Sequence, residues 1–234
     1  MKKDNRNNLI IGMVSYIISF AVIFYYLIIE FSMYEECSPL KRLFVLFIIV
    51  GLTYLGSLYL RKCGNMFKRL NRVNLYVWFI LYLVMLLNLT LFDSYFGRSG
   101  GLVFAYDPAS IKSYFTLKFN MIPFKTVNNY FLAFRNNNIS FRNVSYNIAG
   151  NIAAFVPFAF FLPRIFKGEK WYTYFIFVTL CIFFVEAMQL VTNSGSFDID
   201  DYILNMLGFV IGYILLNNEF VRKRIDRTLM IWKR

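Results

Sequence analysis

Six long apolar runs, separated by polar and basic segments, dominate the pattern of this chain. Each run has close to the roughly 20 helical residues needed to cross a bilayer core about 30 Å thick. The pattern therefore predicts six membrane-spanning helices. Their predicted bounds are Leu9–Ile29, Leu43–Leu60, Leu75–Phe92, Asn147–Ile165, Trp171–Val191 and Ile199–Asn217.

The predicted fold class is all-α: a polytopic membrane bundle of about six helices, with a long external loop between helices three and four. Hydrophobic residues make up 59% of the chain, which agrees with an integral membrane protein. We divide the chain into three parts. They are residues 1–73, with two N-terminal helices and a basic loop; residues 74–217, the main membrane domain; and residues 218–234, a basic tail.

The distribution of Lys and Arg predicts the orientation of these helices. Of the 25 Lys and Arg residues, 17 lie on the side of the two termini and 8 lie on the opposite side. Because the cytoplasmic side of a membrane protein carries the excess of Lys and Arg, both termini should be cytoplasmic. The sequence thus predicts a multi-pass protein of the cell membrane, with membrane lipid as its surroundings.

Charge and composition also restrict the chemistry. The net charge of +12 does not indicate nucleic-acid binding, because the cations lie in short segments beside apolar runs and form no separate basic stripe. The chain has no histidine, which excludes imidazole catalysis and His-ligated zinc. Its three cysteines have no paired spacing, so neither a disulfide framework nor a thiolate metal site is predicted.

The stretch from Asp93 to Tyr146 is the longest connection between predicted helices, and connections of this length usually carry function or are disordered. Its many aromatic and aliphatic residues argue against disorder. Within it, Lys125 to Arg135 could form a short interfacial helix started by Pro123. We expect the stretch to lie on the outer membrane surface or to fold partly into it.

Polar residues recur at helical spacing in the last three apolar runs, where they would share one face of each helix. Glu186 is the most informative, because a charge in hydrocarbon costs roughly 2.5–3.5 kcal/mol even on lenient insertion scales. The candidate ligand-binding residues are Asn147, Asn151, Glu186, Gln189, Asp198, Asp200, Asp201 and Asn205, with Arg98 from the long loop.

These positions share a predicted depth. At a rise of 1.5 Å per residue, Glu186 lies roughly 22 Å above the cytoplasmic end of its helix. By the same rise, Asn151 and Asn205 lie about 6 Å below the external ends of theirs. A common level on three helices is what a polar pocket open to the outside would require.

Small residues and prolines predict how these helices pack. Gly150 and Ala154 form one pair that would admit a close neighbour, and Gly208 and Gly212 form another. Pro157 cannot donate a backbone hydrogen bond, so a kink is expected there.

Several chemical uses of the polar residues remain open. The amides could be interhelical hydrogen-bonding residues, and Asp198 could cap the sixth helix. The carboxylates could hold a divalent cation, although no EF-hand pattern is present and no cofactor is predicted. A Glu/Asp pair could divide general-acid and general-base roles, with Glu186 as the candidate acid or base. Alternatively, the residues could bind a ligand without reaction.

The C-terminal half also resembles the VanZ-like family of bacterial membrane proteins, whose name comes from a teicoplanin-resistance protein. Five ordered blocks carry the resemblance over about residues 75–216. They are Leu89–Phe92 with Arg98, Asn120–Phe124, Asn147–Asn151 through Pro157–Phe158, Glu186–Gln189, and Phe197–Asp201 through Gly212–Tyr213. Ala159 departs from the glycine that we expect there in the family.

The resemblance implies a helical protein of the cell envelope, connected in its namesake with low-level glycopeptide resistance, but it implies no reaction. The richness in Asn, Lys, Ile, Phe and Tyr is similar to that of AT-rich Gram-positive bacteria. Our leading hypothesis is a protein that binds an envelope component, either a lipid-linked cell-wall precursor or a glycopeptide. The alternatives are an intramembrane enzyme acting on a lipid or lipid-linked sugar, and a transporter or flippase subunit.

Overall fold

A computed structural model describes residues 3–31, 38–64, 67, 69–92, 112, 116 and 118–229. Nearly all of these residues are helical. The helices are α1 (Lys3–Phe31), α2 (Pro39–Cys63), α3 (Leu70–Leu91), α4 (Lys125–Arg135), α5 (Phe141–Ile165), α6 (Trp171–Val191), α7 (Ile199–Asn217) and α8 (Glu219–Leu229). Two short strands, β1 (Phe119–Asn120) and β2 (Phe197–Asp198), pair in parallel.

Six of the described helices are long and apolar enough to cross a membrane: α1, α2, α3, α5, α6 and α7. The predicted all-α polytopic membrane fold is therefore confirmed. The bounds of α6 and α7 are those predicted from the sequence. The first four spanning helices extend beyond their apolar cores, because Asn, Lys and Arg residues continue the helix where hydropathy falls.

Contacts between residues divide the chain into two compact units, Met1–Leu89 with Lys223–Arg234, and Thr90–Arg222. We call these the terminal unit and the central unit. The predicted boundaries at 73/74 and 217/218 differ from these divisions, because most of α3 groups with α1 and α2. The three-part domain division stays a prediction.

In the terminal unit, polar side chains join the three spanning helices. Asn74 of α3 accepts a hydrogen bond from the Tyr16 hydroxyl at 3.0 Å and donates to the carbonyl of Thr53 at 3.0 Å. The indole N–H of Trp78 donates to the Thr53 hydroxyl at 2.9 Å. Hydrogen bonds between membrane helices contribute about 0.6 kcal/mol each, so this network favours one packing arrangement.

A buried ion pair lies near the other end of these helices. Arg42 of α2 contacts the Glu30 carboxylate of α1 at 3.2 Å and donates to the Asn88 side-chain oxygen of α3 at 2.8 Å. The Asn88 side chain in turn donates to the carbonyl of Glu30. The predicted helices ended at Ile29 and began again at Leu43, so the sequence pattern left both charges outside the helices and did not predict this cluster.

In the central unit, α5 and α7 pack closely and run in the same direction. A Cβ atom added at Gly208 would lie 1.8 Å from the carbonyl oxygen of Ile152, so only glycine fits there. At Gly212 an added Cβ would lie 3.1 Å from Ala159 and 3.2 Å from Val156. The predicted close packing at Gly208 and Gly212 is thus observed.

The prediction for Gly150 was wrong, because an added Cβ there would meet nothing within 4 Å. Helix α5 instead approaches its neighbour through the backbone at Ile152. The helix continues through both Pro157 and Pro163 to Ile165. Since Pro163 cannot donate to the carbonyl of Ala159, the side chain of Asn217 donates to it instead, at 2.9 Å.

Helix α4 has the bounds predicted for the interfacial helix, and none of its residues is buried. Phe131 is 63% exposed, and the neighbouring Leu132 and Phe134 are also exposed. Apolar residues on a short amphipathic helix are expected to contact the lipid interface. Helix α4 therefore presents an apolar surface beside the ends of the spanning helices of this unit.

Candidate functional site

The polar residues of the central unit meet around the first turn of α7. Asp198 and Asp200 are buried there, together with Glu186 of α6. The segment before α4 reaches this turn through the strand pair, in which Phe119 pairs with Phe197 and Asn120 with Asp198. The rings of Phe119 and Phe197 stack with centroids 4.7 Å apart. This apolar contact covers one side of the acidic turn.

Asp198 is the N-cap of α7, as one of the sequence interpretations held. Its Oδ1 accepts from the Asp200 backbone N–H at 2.9 Å and from the Asn120 side chain at 3.0 Å. Its Oδ2 accepts from the Thr126 hydroxyl, which also receives a bond from Asn120 at 3.2 Å. Asp198 therefore joins the start of α7 to the start of α4.

Asp200 caps a different helix. Its carboxylate, 1% exposed, accepts from the backbone N–H groups of Phe124, Thr126 and Val127, the last two at 2.8 and 3.0 Å. No side chain of α4 itself caps this N-terminus, and Phe124 has a left-handed backbone with φ of 62°. A carboxylate at a helix N-terminus is favoured because it receives unpaired N–H groups and meets the positive end of the helix dipole.

Glu186 is buried against this turn, with 2% of its surface exposed. Its Oε2 accepts a hydrogen bond from the backbone N–H of Asp198 at 3.1 Å. Glu186 thereby ties α6 to the start of α7 and orients the capping aspartate. One turn further along α6, the Gln189 side chain donates to the carbonyl of Thr90 at 3.1 Å. A Cβ atom added at Gly195 would lie 3.1 Å from the side-chain oxygen of Gln189.

Asn151 of α5 donates to the Asp201 carboxylate of α7. Both side chains are half-buried. This contact brings α5 to the same turn of α7 that Glu186 reaches from α6. Three predicted residues on three spanning helices, Asn151, Glu186 and Asp201, are thus brought to the first turn of one helix.

Asn205 lies one turn beyond Asp201 on the same face of α7. Only 5% of its surface is exposed, and its Oδ1 has no hydrogen-bond partner among the described residues. A buried acceptor without a donor costs roughly 1–3 kcal/mol. Asn205 is therefore the predicted residue whose polar group the described fold leaves unsatisfied.

One predicted residue, Asn147, is placed apart from this cluster. Asn147 is exposed, and its side chain donates to the carbonyl of Asn143 in its own helix at 2.9 Å. Arg98 lies outside the described residues. Within the described part of the chain, no group of three His, Cys, Asp or Glu side chains could hold a metal ion. A divalent cation thus gains no support from the geometry.

Sequence reasoning missed Asn120 and Thr126 as members of the site. Asn120 belongs to one of the five blocks that carry the family resemblance, and that was the available signal. Thr126 gave no signal, because its role depends on contacts with residues more than 70 positions away.

Comparison with known proteins finds a family match over the part of the chain that contains the site. The family model described as VanZ/LLP1 matches residues 79–221, from α3 through α8. No curated protein and no solved structure matches the chain. The matched region includes every described residue of the site. Because the match covers more than half of its length, the chain belongs to the VanZ/LLP1 family.

Proposed function

We propose that this protein binds an envelope component at the outward-facing end of the central unit, in the cell membrane, with both termini cytoplasmic. The excess of Lys and Arg on the side of the termini supports this orientation. In that orientation the first turn of α7 lies near the outer surface. Ligands would reach it from the outer leaflet or from the external solution.

The observation that carries the proposal is the unpartnered oxygen of Asn205. Asp198 and Asp200 hold the fold together by accepting protein N–H and O–H groups. Asn205 accepts nothing within the described residues, although it is buried. A ligand that donates a hydrogen bond to this oxygen would recover the free energy that is lost when the oxygen is buried without a donor.

The half-buried pair of Asn151 and Asp201, one turn away, suits the same kind of ligand. Carboxylate and amide oxygens accept hydrogen bonds from sugar hydroxyls and from peptide N–H groups. The exposed apolar surface of α4 suits an acyl or prenyl chain in the outer leaflet. A lipid-linked cell-wall precursor combines these features, and a lipid-bearing glycopeptide such as teicoplanin does so as well.

Low-level teicoplanin resistance would follow if the protein withheld either the antibiotic or its target. Binding is favoured over catalysis because the Glu186 carboxylate already accepts the Asp198 N–H and thereby joins α6 to the start of α7. A general acid or base at this position would have to give up that hydrogen bond to act on a substrate. Evidence of catalysis in the test below would therefore replace the binding proposal.

The test uses purified full-length protein in detergent and measures its melting temperature. The probes are a lipid-linked disaccharide-pentapeptide and teicoplanin, with phosphatidylcholine as the reference amphiphile. We expect at least one probe to raise the melting temperature of the wild type and of the control Asn143→Ala, but not of Asn205→Leu. Equal shifts in all three proteins, or no shift in any, would contradict the proposal.

Catalysis is tested in the same samples. Mass spectrometry of the probe after incubation reports any chemical change. If the wild type converts the probe and Glu186→Gln binds it without converting it, the protein is an enzyme, and the binding proposal is replaced. If the probe is recovered unchanged from both proteins, binding without reaction is supported.

A further inference from the structure

The terminal unit carries exposed cations at one end. Lys62 is in the last turn of α2, Arg69 and Arg72 lie at the start of α3, and the others are on α8. We call this group the basic collar. It consists of Lys62, Arg69, Arg72, Lys223, Arg224 and Arg227.

Hydrogen bonds hold the second half of α8 against the spanning helices of this unit. The Tyr54 hydroxyl of α2 donates to the carbonyl of Thr228 at 2.7 Å, and the Asn71 side chain of α3 donates to the carbonyl of Leu229. These two carbonyls belong to the last turn of α8. The carbonyls of a last helical turn have no hydrogen-bond partner within the helix itself. The cations of α8 are therefore fixed beside those at the start of α3.

The position of Asn71 sets the level of the collar. Asn71 is the second residue of the spanning helix α3, so the end of α8 lies where that helix leaves the hydrocarbon. The end of a spanning helix is expected to lie near the lipid headgroups. Cations at this depth lie close to anionic headgroups, so bulk salt screens the attraction between them only weakly.

Cations outnumber acids on α8. This helix carries two acids, Glu219 and Asp226, against the four cations Arg222, Lys223, Arg224 and Arg227. Arg224 and Arg227 lie three residues apart, on one face of α8, and both are exposed. Like charges held this close repel each other, and fixed anions nearby relieve the repulsion.

We propose that the basic collar binds the headgroups of anionic phospholipids in the leaflet where α3 begins. Lipid is favoured over a soluble anion because the hydrogen bonds of Tyr54 and Asn71 keep the cations at headgroup depth. The binding would anchor the C-terminal helix to the membrane surface. The collar shares no residue with the polar site of the central unit, and either proposal can fail without the other.

The test is native mass spectrometry of full-length protein in a neutral detergent, titrated with phosphatidylglycerol or phosphatidylcholine. We expect the wild type to prefer phosphatidylglycerol. The double variant Arg224→Gln/Arg227→Gln should bind it about 25-fold more weakly, at about fivefold for each cation. The control Arg135→Gln/Arg142→Gln removes two exposed arginines from the central unit and should leave the affinity unchanged.

Equal affinity of the two double variants for phosphatidylglycerol would overturn the proposal. Competition by sn-glycerol 3-phosphate at the same concentration as the lipid would also overturn it, because the site would then recognise a free phosphate. If the α8 variant does not fold, Lys62→Gln/Arg69→Gln removes two collar cations on other elements. That variant should show the same selective loss, and its failure to do so would contradict the proposal.

Discussion

The carboxylate of Asp200 accepts the backbone N–H of Thr126, 74 residues earlier in the chain, at 2.8 Å and thereby caps α4. The two helices that it joins differ in setting. Helix α7 is a spanning helix, whereas α4 has no buried residue and depends on its ends for its position. The acidic segment thus fixes an exposed helix to the spanning helices of the central unit.

Replacing Asp200 by Asn should loosen α4 without unfolding the bundle. The amide offers one acceptor oxygen and no charge to three backbone N–H groups, and bonds to a charged group are worth about 1.5–3 kcal/mol each. Amide hydrogen exchange at Thr126 and Val127 should accelerate by about tenfold or more. The control is Asp226→Asn, which makes the same chemical change in the terminal unit and should leave the exchange of α4 unchanged. If α4 exchanges at the wild-type rate in Asp200→Asn, the capping role is wrong.

Asn205→Leu should separate stability from binding. The substitution removes a buried oxygen that has no partner within the described residues and replaces it with a side chain of similar volume. We expect the free energy of unfolding to stay constant or to rise by about 1 kcal/mol. Binding of the envelope probe should be lost. A clear loss of stability would indicate that Asn205 has a structural role instead.

Gly208→Ala should be the most damaging single-methyl change in α7. The added Cβ would overlap the carbonyl oxygen of Ile152, so the two helices would have to separate. Overpacking of this kind costs about 1–3 kcal/mol and sometimes more. The matched control is Gly150→Ala in α5, where the new methyl meets nothing and should raise stability slightly. Thermal unfolding in detergent measures both variants, and equal melting temperatures would contradict the close contact.

Arg42→Met should destabilise the terminal unit, because it leaves the buried Glu30 carboxylate without its cation. Removing one partner of a buried ion pair costs about 3–5 kcal/mol. The double variant Glu30→Gln/Arg42→Met should recover much of this loss. Lys41→Met, at the exposed neighbouring position, serves as the control. Equal stability of the two single variants would show that the ion pair contributes little.

Orientation can be tested on intact cells with a membrane-impermeant thiol reagent. Both termini should be cytoplasmic, so Cys37 between the first two helices should be labelled and Cys63 should not. Cys63 is half-buried and contacts the carbonyl of Asn5, so its protection alone is a weak criterion. An added pair, Lys118→Cys and Arg224→Cys, gives one exposed or half-buried thiol for each side. Labelling of Arg224→Cys but not of Lys118→Cys would show that the orientation is opposite to the predicted one.

Much of the helical framework could be predicted because membrane helices follow apolar runs. The bounds of α4, α6 and α7 agree with the sequence prediction, since polar or turn-forming residues mark both ends of each. The α5–α7 contact at Gly208 and Gly212 could also be predicted from one helix alone. Its partner surface could not, because the close approach uses the backbone of Ile152 and not the small residue Gly150.

The details of the site depend on contacts between distant positions, which periodicity does not encode. The sequence identified Asp198, Asp200 and Asp201 as candidate ligand-binding residues, but gave no sign that each carboxylate serves a different partner. The same limit explains the missed pair of Glu30 and Arg42. Both flank apolar runs and resembled loop charges, whereas α1 and α2 extend far enough to bury them against each other.

Mass spectrometry of the molecules that co-purify with the full-length protein from its native membrane tests the central claim most directly. The account predicts that the wild type and Asn143→Ala retain an amphiphilic envelope molecule, and that Asn205→Leu loses it while remaining folded. The same retained molecules in all three proteins, or none in the wild type, would contradict the claim that the first turns of α7 form a ligand site.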